Sequence, residues 1–94
     1  NFGFAIITNS KNQVCGVFSD GDLRRVLQNY ADIKQISIKD VMSKKPTLIM
    51  EDVLAAEVLS IMEQKEITTI PVISKSKKIL GIITLNNILR AGIE

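Results

Sequence analysis

Ser19 and Asp22 stand three residues apart where a run of strand-forming residues gives way to a helical period, and Thr84 and Asn87 repeat the arrangement later in the chain. A hydroxyl at such a corner caps the helix that follows, and an Asp or Asn at the third helical position can accept a bond from the cap's own N–H. The same geometry admits a ligand. A helix N-terminus presents unpaired N–H groups and partial positive charge to a phosphate, and the cap hydroxyl adds a donor. A carboxylate one turn further in suits two vicinal ribose hydroxyls. Capping and nucleotide binding both stay open on residue types alone. Under nucleotide binding the two copies are unequal. Asp22 offers two oxygens to ribose, whereas Asn87 offers one oxygen and an amide donor, so the second corner is expected to hold ribose less well.

Little other chemistry is on offer. The 94 residues contain no histidine and a single cysteine, Cys15. That removes the usual general base, the Ser-His and Cys-His nucleophile pairs, a thiolate metal cluster and any intrachain disulfide. No catalytic residue, metal or required cofactor is therefore assigned, and a chain inactive as an enzyme by itself is expected. A net charge of +2, with aromatics at 4% and no Trp, argues against a nucleic-acid partner. No apolar run approaches the ~18 residues that cross a bilayer. With no cleavable signal either, the expected partners exclude membrane and the expected location is the cytoplasm. Hydrophobic residues at 46% and charged ones at 23% fit a folded chain whose core rests on Ile, Val, Leu and Met.

The elements that must position the corners follow from periodicity. Phe4 to Thr8 is short, apolar and β-branched, residues 9–13 are polar turn material, and Val14 to Phe18 returns, which predicts a hairpin. Leu23, Val26, Leu27 and Tyr30 then predict a helix from about Asp20 to Tyr30, with Arg24 and Arg25 on its other face. Asp20-Gly21 as a type I′ hairpin turn is the competing reading, and the helical period after Gly21 outweighs it. Residues 31–38 read as a linker, 38–42 as a helical turn before Pro46, and Thr47 to Met50 as a strand. Asp52 is the expected N-cap of a helix from Val53 to Lys65. Its polar stripe of Glu57, Ser60, Glu63 and Gln64 is narrow, so burial on most of the circumference is expected. The opening pattern then recurs as strand 69–73, turn 74–78, strand 79–83 and a helix from about Leu85. Cys15 reads as a small core residue, the three Met as core filler, and Lys75, Lys77 and Lys78 as a solvated hairpin tip.

Laid over one another, the halves form a tandem repeat. Gly16 and Gly81 are 65 residues apart, and at that spacing Ser19 meets Thr84, Asp22 meets Asn87, Leu23 meets Ile88 and Arg25 meets Arg90. Matching Ala5 to Pro71 makes the first hairpin one residue longer. The first copy has no counterpart of 47–65, so the chain is expected to begin inside a structural unit of a larger protein.

Hairpin, glycine, [ST]-x-x-[DN] and helix, present twice, resemble the CBS domain, which occurs in pairs called Bateman modules. The resemblance implies an α+β fold of two β-α-β-β-α repeats with pseudo-two-fold symmetry, the first (1–38) truncated at its N-terminus and the second spanning 39–94. It implies phosphate-side roles for Ser19 and Thr84 and ribose-side roles for Asp22 and Asn87. Thr47-Leu48 and Ile70-Pro71 would wall the base in the second repeat, and Phe4-Ala5 in the first. More narrowly, Gly16-Val-Phe-Ser-Asp-Gly-Asp-Leu-Arg-Arg25, Ser37-Ile-Lys-Asp-Val-Met-Ser43 and Leu89-Arg-Ala-Gly-Ile93 are similar to the C-terminal part of arabinose-5-phosphate isomerases, which serve Kdo and lipopolysaccharide synthesis. Ser19 stands where many of these carry Thr, and the hydroxyl is retained. That likeness implies catalysis in a domain outside this chain. It also implies a homo-dimer of CBS pairs within a tetrameric parent, and an adenine nucleotide or a CMP-linked sugar as regulatory ligand. The alternative is a structural oligomerisation module whose corners are caps and nothing more.

Overall fold

The computed structural model describes residues 3–30 and 32–92, without the side chain of Ile33. Ala31 of the expected linker and Ile93 of the closing motif lie outside the described residues. Contacts divide the chain into two compact units, Asn1–Pro46 and Thr47–Glu94.

The first unit is a hairpin followed by a helix. Strands β1 (Phe4–Thr8) and β2 (Val14–Ser19) pair antiparallel, and β2 runs directly into α1 (Asp20–Asn29). A 3-10 turn at Ile33–Gln35 occupies part of the expected linker, and α2 (Ile38–Val41) is the expected short helix. Val14 and Val26 are the buried apolar residues here. Leu23, Leu27 and Tyr30, expected to share the buried face of α1 with Val26, are 40%, 57% and 48% exposed. A two-stranded sheet is too narrow to cover a whole helical face.

The second unit has three strands ordered β3-β4-β5, where β3 is Ile49–Met50, β4 is Thr69–Ile73 and β5 is Ile79–Thr84. β3 and β4 are parallel, joined by helix α3 (Ala55–Lys65), and β4 and β5 form an antiparallel hairpin leading into α4 (Leu85–Arg90). The core is Ile49, Val58, Met62, Ile70 and Ile88, with Val53, Leu59, Ile61, Ile67, Val72, Ile83 and Leu85 packed against it. Each such side chain contributes about 1.5–3 kcal/mol when fully buried, which makes this unit the better founded of the two.

Three expectations need correction in this region. The strand over 47–50 shortens to Ile49–Met50. Asp52 is exposed and does not cap α3: the cap is Leu54, with no side-chain bond. A turn intervenes, in which Val53 N–H donates to Met50 O at 3.2 Å, and the helix starts only once Glu57 and Val58 donate to Leu54 O. Nor is α3 buried on most of its circumference. Val58 and Met62 alone are buried, Ala56 is exposed, and Leu54 at the cap is 67% exposed.

The hairpins repeat residue for residue at a spacing of 65, so the first is not one residue longer. Phe4 pairs with Ser19 as Thr69 pairs with Thr84, and Ala5 with Phe18 as Ile70 with Ile83. Ala5 is thus the counterpart of Ile70, and Ile6 of Pro71. Even the irregularities coincide. Register shifts fall between Ile7 and Thr8 and between Val72 and Ile73, and the left-handed turn residues are Asn12 (φ 63) and Lys77 (φ 67). Cys15 is the extra residue of the first bulge, which turns it outward: it is exposed rather than a core residue, its Sγ 3.3 Å from Ile7 O.

Candidate functional site

Each corner is fixed by the end of its hairpin. Backbone bonds tie the start of each helix to the residue ahead of the neighbouring strand: Asp20 N–H donates to Gly3 O at 2.8 Å, and Leu85 N–H to Thr68 O at 2.9 Å. The cap residues then leave the strand in extended conformation, Ser19 with φ −112° and Thr84 with φ −115°. That geometry directs the hydroxyl back over the first helical turn, as an N-cap requires.

Both corners close as complete capping boxes. At the first, Asp22 N–H donates to Ser19 Oγ at 3.3 Å, while Ser19 N–H and Oγ–H donate to Asp22 Oδ2 at 2.8 and 3.1 Å. Asp22 Oδ1 accepts from Arg25 Nη2, an ion pair one turn along α1. Asp22 is 8% exposed, the one buried charged side chain among the described residues, while the Arg25 side chain remains 65% exposed. At the second corner, Asn87 N–H donates to Thr84 Oγ1 at 3.2 Å. Thr84 N–H and Oγ1–H donate to Asn87 Oδ1 at 3.3 and 2.8 Å. Asn87 is exposed and uncharged, so Arg90 has no carboxylate there to pair with.

The hydrogen-bond inventory limits what each corner can add. A carboxylate has about four acceptor sites, and three of those on Asp22 are used, so one further donor fits at Oδ1 without disturbing the box. Asn87 has spent its oxygen but keeps the Nδ2 donors, so the second corner offers N–H groups where the first offers an acceptor. Charge divides them likewise. Asp20 and Asp22 both sit in the first turn of α1, whereas the first turn of α4 has no acid.

The expected walls are placed unevenly. Phe4 is half-buried and is the strand partner of Ser19, with Ala5 exposed beside it. In the second unit Ile70 and Pro71 lie on β4 next to the corner, but both residues are fully buried and present no surface to a ligand. Thr47 and Leu48 are half-buried and just precede β3, whose parallel register with β4 brings them toward the same end. The sequence allows Arg24 and Arg25 to reach an anionic ligand or an acidic neighbour, and for Arg25 the structure supplies the neighbour, Asp22. The Asp-x-x-Arg spacing marks that pair. Lys75, Lys77 and Lys78 are exposed, as a solvated hairpin tip requires.

No helix among the described residues is long and apolar enough to cross a membrane, and no cluster of His, Cys, Asp and Glu suited to a metal is found among them. A groove of about 820 Å³ runs between α3 and α4, lined in part by Leu59, Ile67, Leu85 and Leu89.

Comparison with known proteins places these features. The family model described as the CBS domain matches residues 38–94. Arabinose 5-phosphate isomerase KdsD of Escherichia coli K12 is 34% identical over 93 residues, covering 99% of this chain and 28% of the relative. The Pseudomonas aeruginosa enzyme of the same name is 33% identical over 91 residues, covering 97% of this chain and 28% of its own length. This chain therefore spans little more than a quarter of these curated relatives. Among solved structures, the CBS domain pair of protein MJ0100, in complex with 5′-methylthioadenosine and S-adenosyl-L-methionine, superposes with a TM-score of 0.81 at 20% identity, over 96% of this chain and 69% of that one. The CBS-domain protein ATU1752 of Agrobacterium tumefaciens gives 0.80 at 24% identity over 97% and 72%. The cytosolic domain of the Mg2+ channel MgtE, in complex with ATP, gives 0.82 at 23% identity over 97% and 34%.

Proposed function

Since the chain belongs to the CBS domain family, we propose that it is the ligand-sensing part of a protein of the arabinose 5-phosphate isomerase kind, and that it binds a nucleotide or nucleotide sugar at its strand-to-helix corners. The observation that carries this is the first corner. A buried carboxylate, Asp22, is held at the N-terminus of the ten-residue helix α1 beside a hydroxyl, with acceptor capacity left at Oδ1. A buried acid is costly to keep, and a ribose hydroxyl is a donor that fits the site it leaves open. The adenosyl ligands of the MJ0100 pair and the ATP of MgtE support an adenine nucleotide as the ligand class. On this reading a CMP-linked sugar is the competing ligand, and the interconversion of ribulose 5-phosphate and arabinose 5-phosphate belongs to a part of the protein outside this chain; the likeness to arabinose 5-phosphate isomerase KdsD is what supports the reading. Residence in the cytoplasm belongs to the same proposal.

The first corner is the ribose site. The second, with free Asn87 amide donors and no acid in the first turn, is better matched to a phosphate or another acceptor than to a ribose diol. A purely structural module is favoured by two observations, the capping boxes that are complete without a ligand and the apolar groove between α3 and α4, which suits a second copy of the chain.

Titration calorimetry and thermal-shift assays of the 94-residue chain separate the two. The panel holds AMP, ADP, ATP, S-adenosylmethionine, methylthioadenosine and a CMP-linked sugar. Saturable heat with at least one of them is expected, weakened about tenfold or more by Asp22→Ala and less by Asn87→Ala. If the whole panel produced neither heat nor shift, the ligand-sensing role would give way to the structural module. Equal losses in the two variants would contradict the assignment of ribose to the first corner. No isomerase turnover is expected from the chain itself, and measurable turnover would overturn the placement of catalysis elsewhere.

A further inference from the structure

The two hairpins share a register but not the state of their outer edges. On β2, Val17 N–H donates to Ser43 O at 3.0 Å and Ser43 N–H donates to Val17 O at 2.8 Å, an isolated antiparallel bridge. The preceding residue, Met42, lies against Gly16. A Cβ built on Gly16 would overlap Met42 Sδ and stand 2.9 Å from Met42 Cγ and Ser43 O, so only glycine leaves room for that segment. Gly16 is buried beneath it.

β5 carries the same groups in the same places, uncovered. Ile82 faces Pro71 as Val17 faces Ile6. Pro71 has no N–H to donate, and the N–H of Ile82, like that of Val17, points away from its hairpin partner. Both backbone polar groups of Ile82 therefore lie on the outer edge, and among the described residues no backbone bond reaches them from that side. Gly81 is exposed, and a Cβ built there would meet nothing within 4 Å. The flanking Leu80 and Ile82 are 51% and 38% exposed.

The ownership of the covering segment identifies what fits. The family match starts at residue 38, so in sequence Met42–Ser43 leads the second repeat, yet its contacts place it with the first unit, Asn1–Pro46. The second repeat lends its leading segment to the edge of the first. In a duplicated fold the reciprocal loan is the leading segment of the first repeat, which by the repeat spacing stands 65 residues ahead of Met42–Ser43. The curated relatives, of which this chain matches 28%, have ample sequence outside the match to hold such a segment.

We propose that the outer edge of β5 at Gly81–Ile82 is a strand-addition site for the leading segment of the first repeat. The incoming stretch lays an unbranched apolar side chain over Gly81 and pairs the N–H and C=O of its next residue with Ile82. Main-chain pairing at an open edge supplies the affinity, and the seat over glycine supplies the selectivity.

The probe is a synthetic peptide with the sequence of residues 36–46 of this chain, a surrogate that carries Met42 and Ser43. It is titrated into the 94-residue protein and followed by amide NMR. Saturable shifts centred on Gly81 and Ile82 are expected. Gly81→Val fills the seat while meeting no neighbour, so it should fold normally and bind the peptide at least tenfold more weakly. A peptide with Met42→Asp should fail to bind. The proposal is overturned by the absence of saturable shifts, by equal binding to the Gly81→Val protein, by shifts confined to Gly16 and Val17, or by an edge already closed through pairing of two β5 strands in a dimer that the peptide does not compete with.

Discussion

The two hairpin-and-corner regions are superimposable in hydrogen-bond register and opposite in burial. Position by position, Ala5 is exposed where Ile70 is fully buried, Leu23 is 40% exposed where Ile88 is 2% exposed, and Gly16 is buried where Gly81 is open. Asp22 is buried with a cationic partner where its counterpart Asn87 is exposed and neutral. The backbone of a hairpin and a capping box is set by local chemistry: turn residues that accept positive φ, a bulge, a hydroxyl and an amide or acid three residues on. Burial is set by what is laid against that frame. β3 widens the second sheet and α3 packs on it, and Met42–Ser43 covers the edge of the first. A repeat can thus keep its geometry while its two copies take up different work.

The sharpest way to break this comparison is to substitute the residues at the paired positions 5 and 70. Ile70→Ala should cost about 3–4 kcal/mol, because it opens a cavity among Ile49, Val58, Met62 and Ile88 in a core with no slack. Ala5→Ser, on the exposed copy, should stay within about 0.5 kcal/mol. Urea unfolding followed by circular dichroism reads both. Comparable losses would mean that the first hairpin is packed as tightly as the second.

The paired glycines give the next largest contrast. Gly16→Val has to move Met42 and the Ser43 carbonyl, the second of which is backbone and bonded to Val17, so a loss of about 2–3 kcal/mol is expected. Gly81→Val meets open space at an ordinary strand position and should be neutral within about 0.5 kcal/mol, or slightly stabilising through β-propensity. A large loss at Gly81 would show that its edge is already occupied.

Much of this was legible before the structure, and the division has a physical basis. The change of period at Ser19, the helix over Asp20–Asn29, the capping spacing at both corners and the duplication itself are carried by residues near one another in sequence. What escaped depends on local backbone irregularities and on long-range packing. Matching Ala5 to Pro71 slipped the register by one, because two runs of β-branched residues look alike when shifted and only the shared bulge sets them in phase. Asp52 has the composition of a cap, but the turn closed by Val53 N–H on Met50 O absorbs it first. Cys15 reads as a core residue in the strand pattern, where a bulge cannot be seen, and the structure exposes it. Ile70 and Pro71, expected as walls for a base, lie on the strand beside the corner. Their depth depends on α3 and β3, which the hairpin sequence does not encode.

The caps should differ by less. Ser19→Ala removes the acceptor for Asp22 N–H and one donor to a buried carboxylate, and about 1–2 kcal/mol is expected. Thr84→Ala makes the same change where water can replace the lost partners, and about 0.5–1 kcal/mol is expected. If the order were reversed, burial would not be what distinguishes the corners.

The smallest and most specific change is Asn87→Asp, which gives the second corner the acid of the first. Three effects act together. The carboxylate keeps the acceptor role of Oδ1 toward Thr84, it meets the positive end of α4, and it gains Arg90 as a partner at the spacing that joins Asp22 to Arg25. Against them stand the shortness of a six-residue helix and the exposure of the site, which lets water and salt screen the charge. The expected gain is therefore only about 0.5 kcal/mol at low salt, fading toward zero near ~1 M salt. The reciprocal Asp22→Asn should lose more than this gain at any salt concentration, since it leaves Arg25 without its counter-charge beside a buried amide. Equal and opposite effects would mean that residue type alone separates the corners. Unequal ones would locate the difference in burial, which the hairpin sequence does not write.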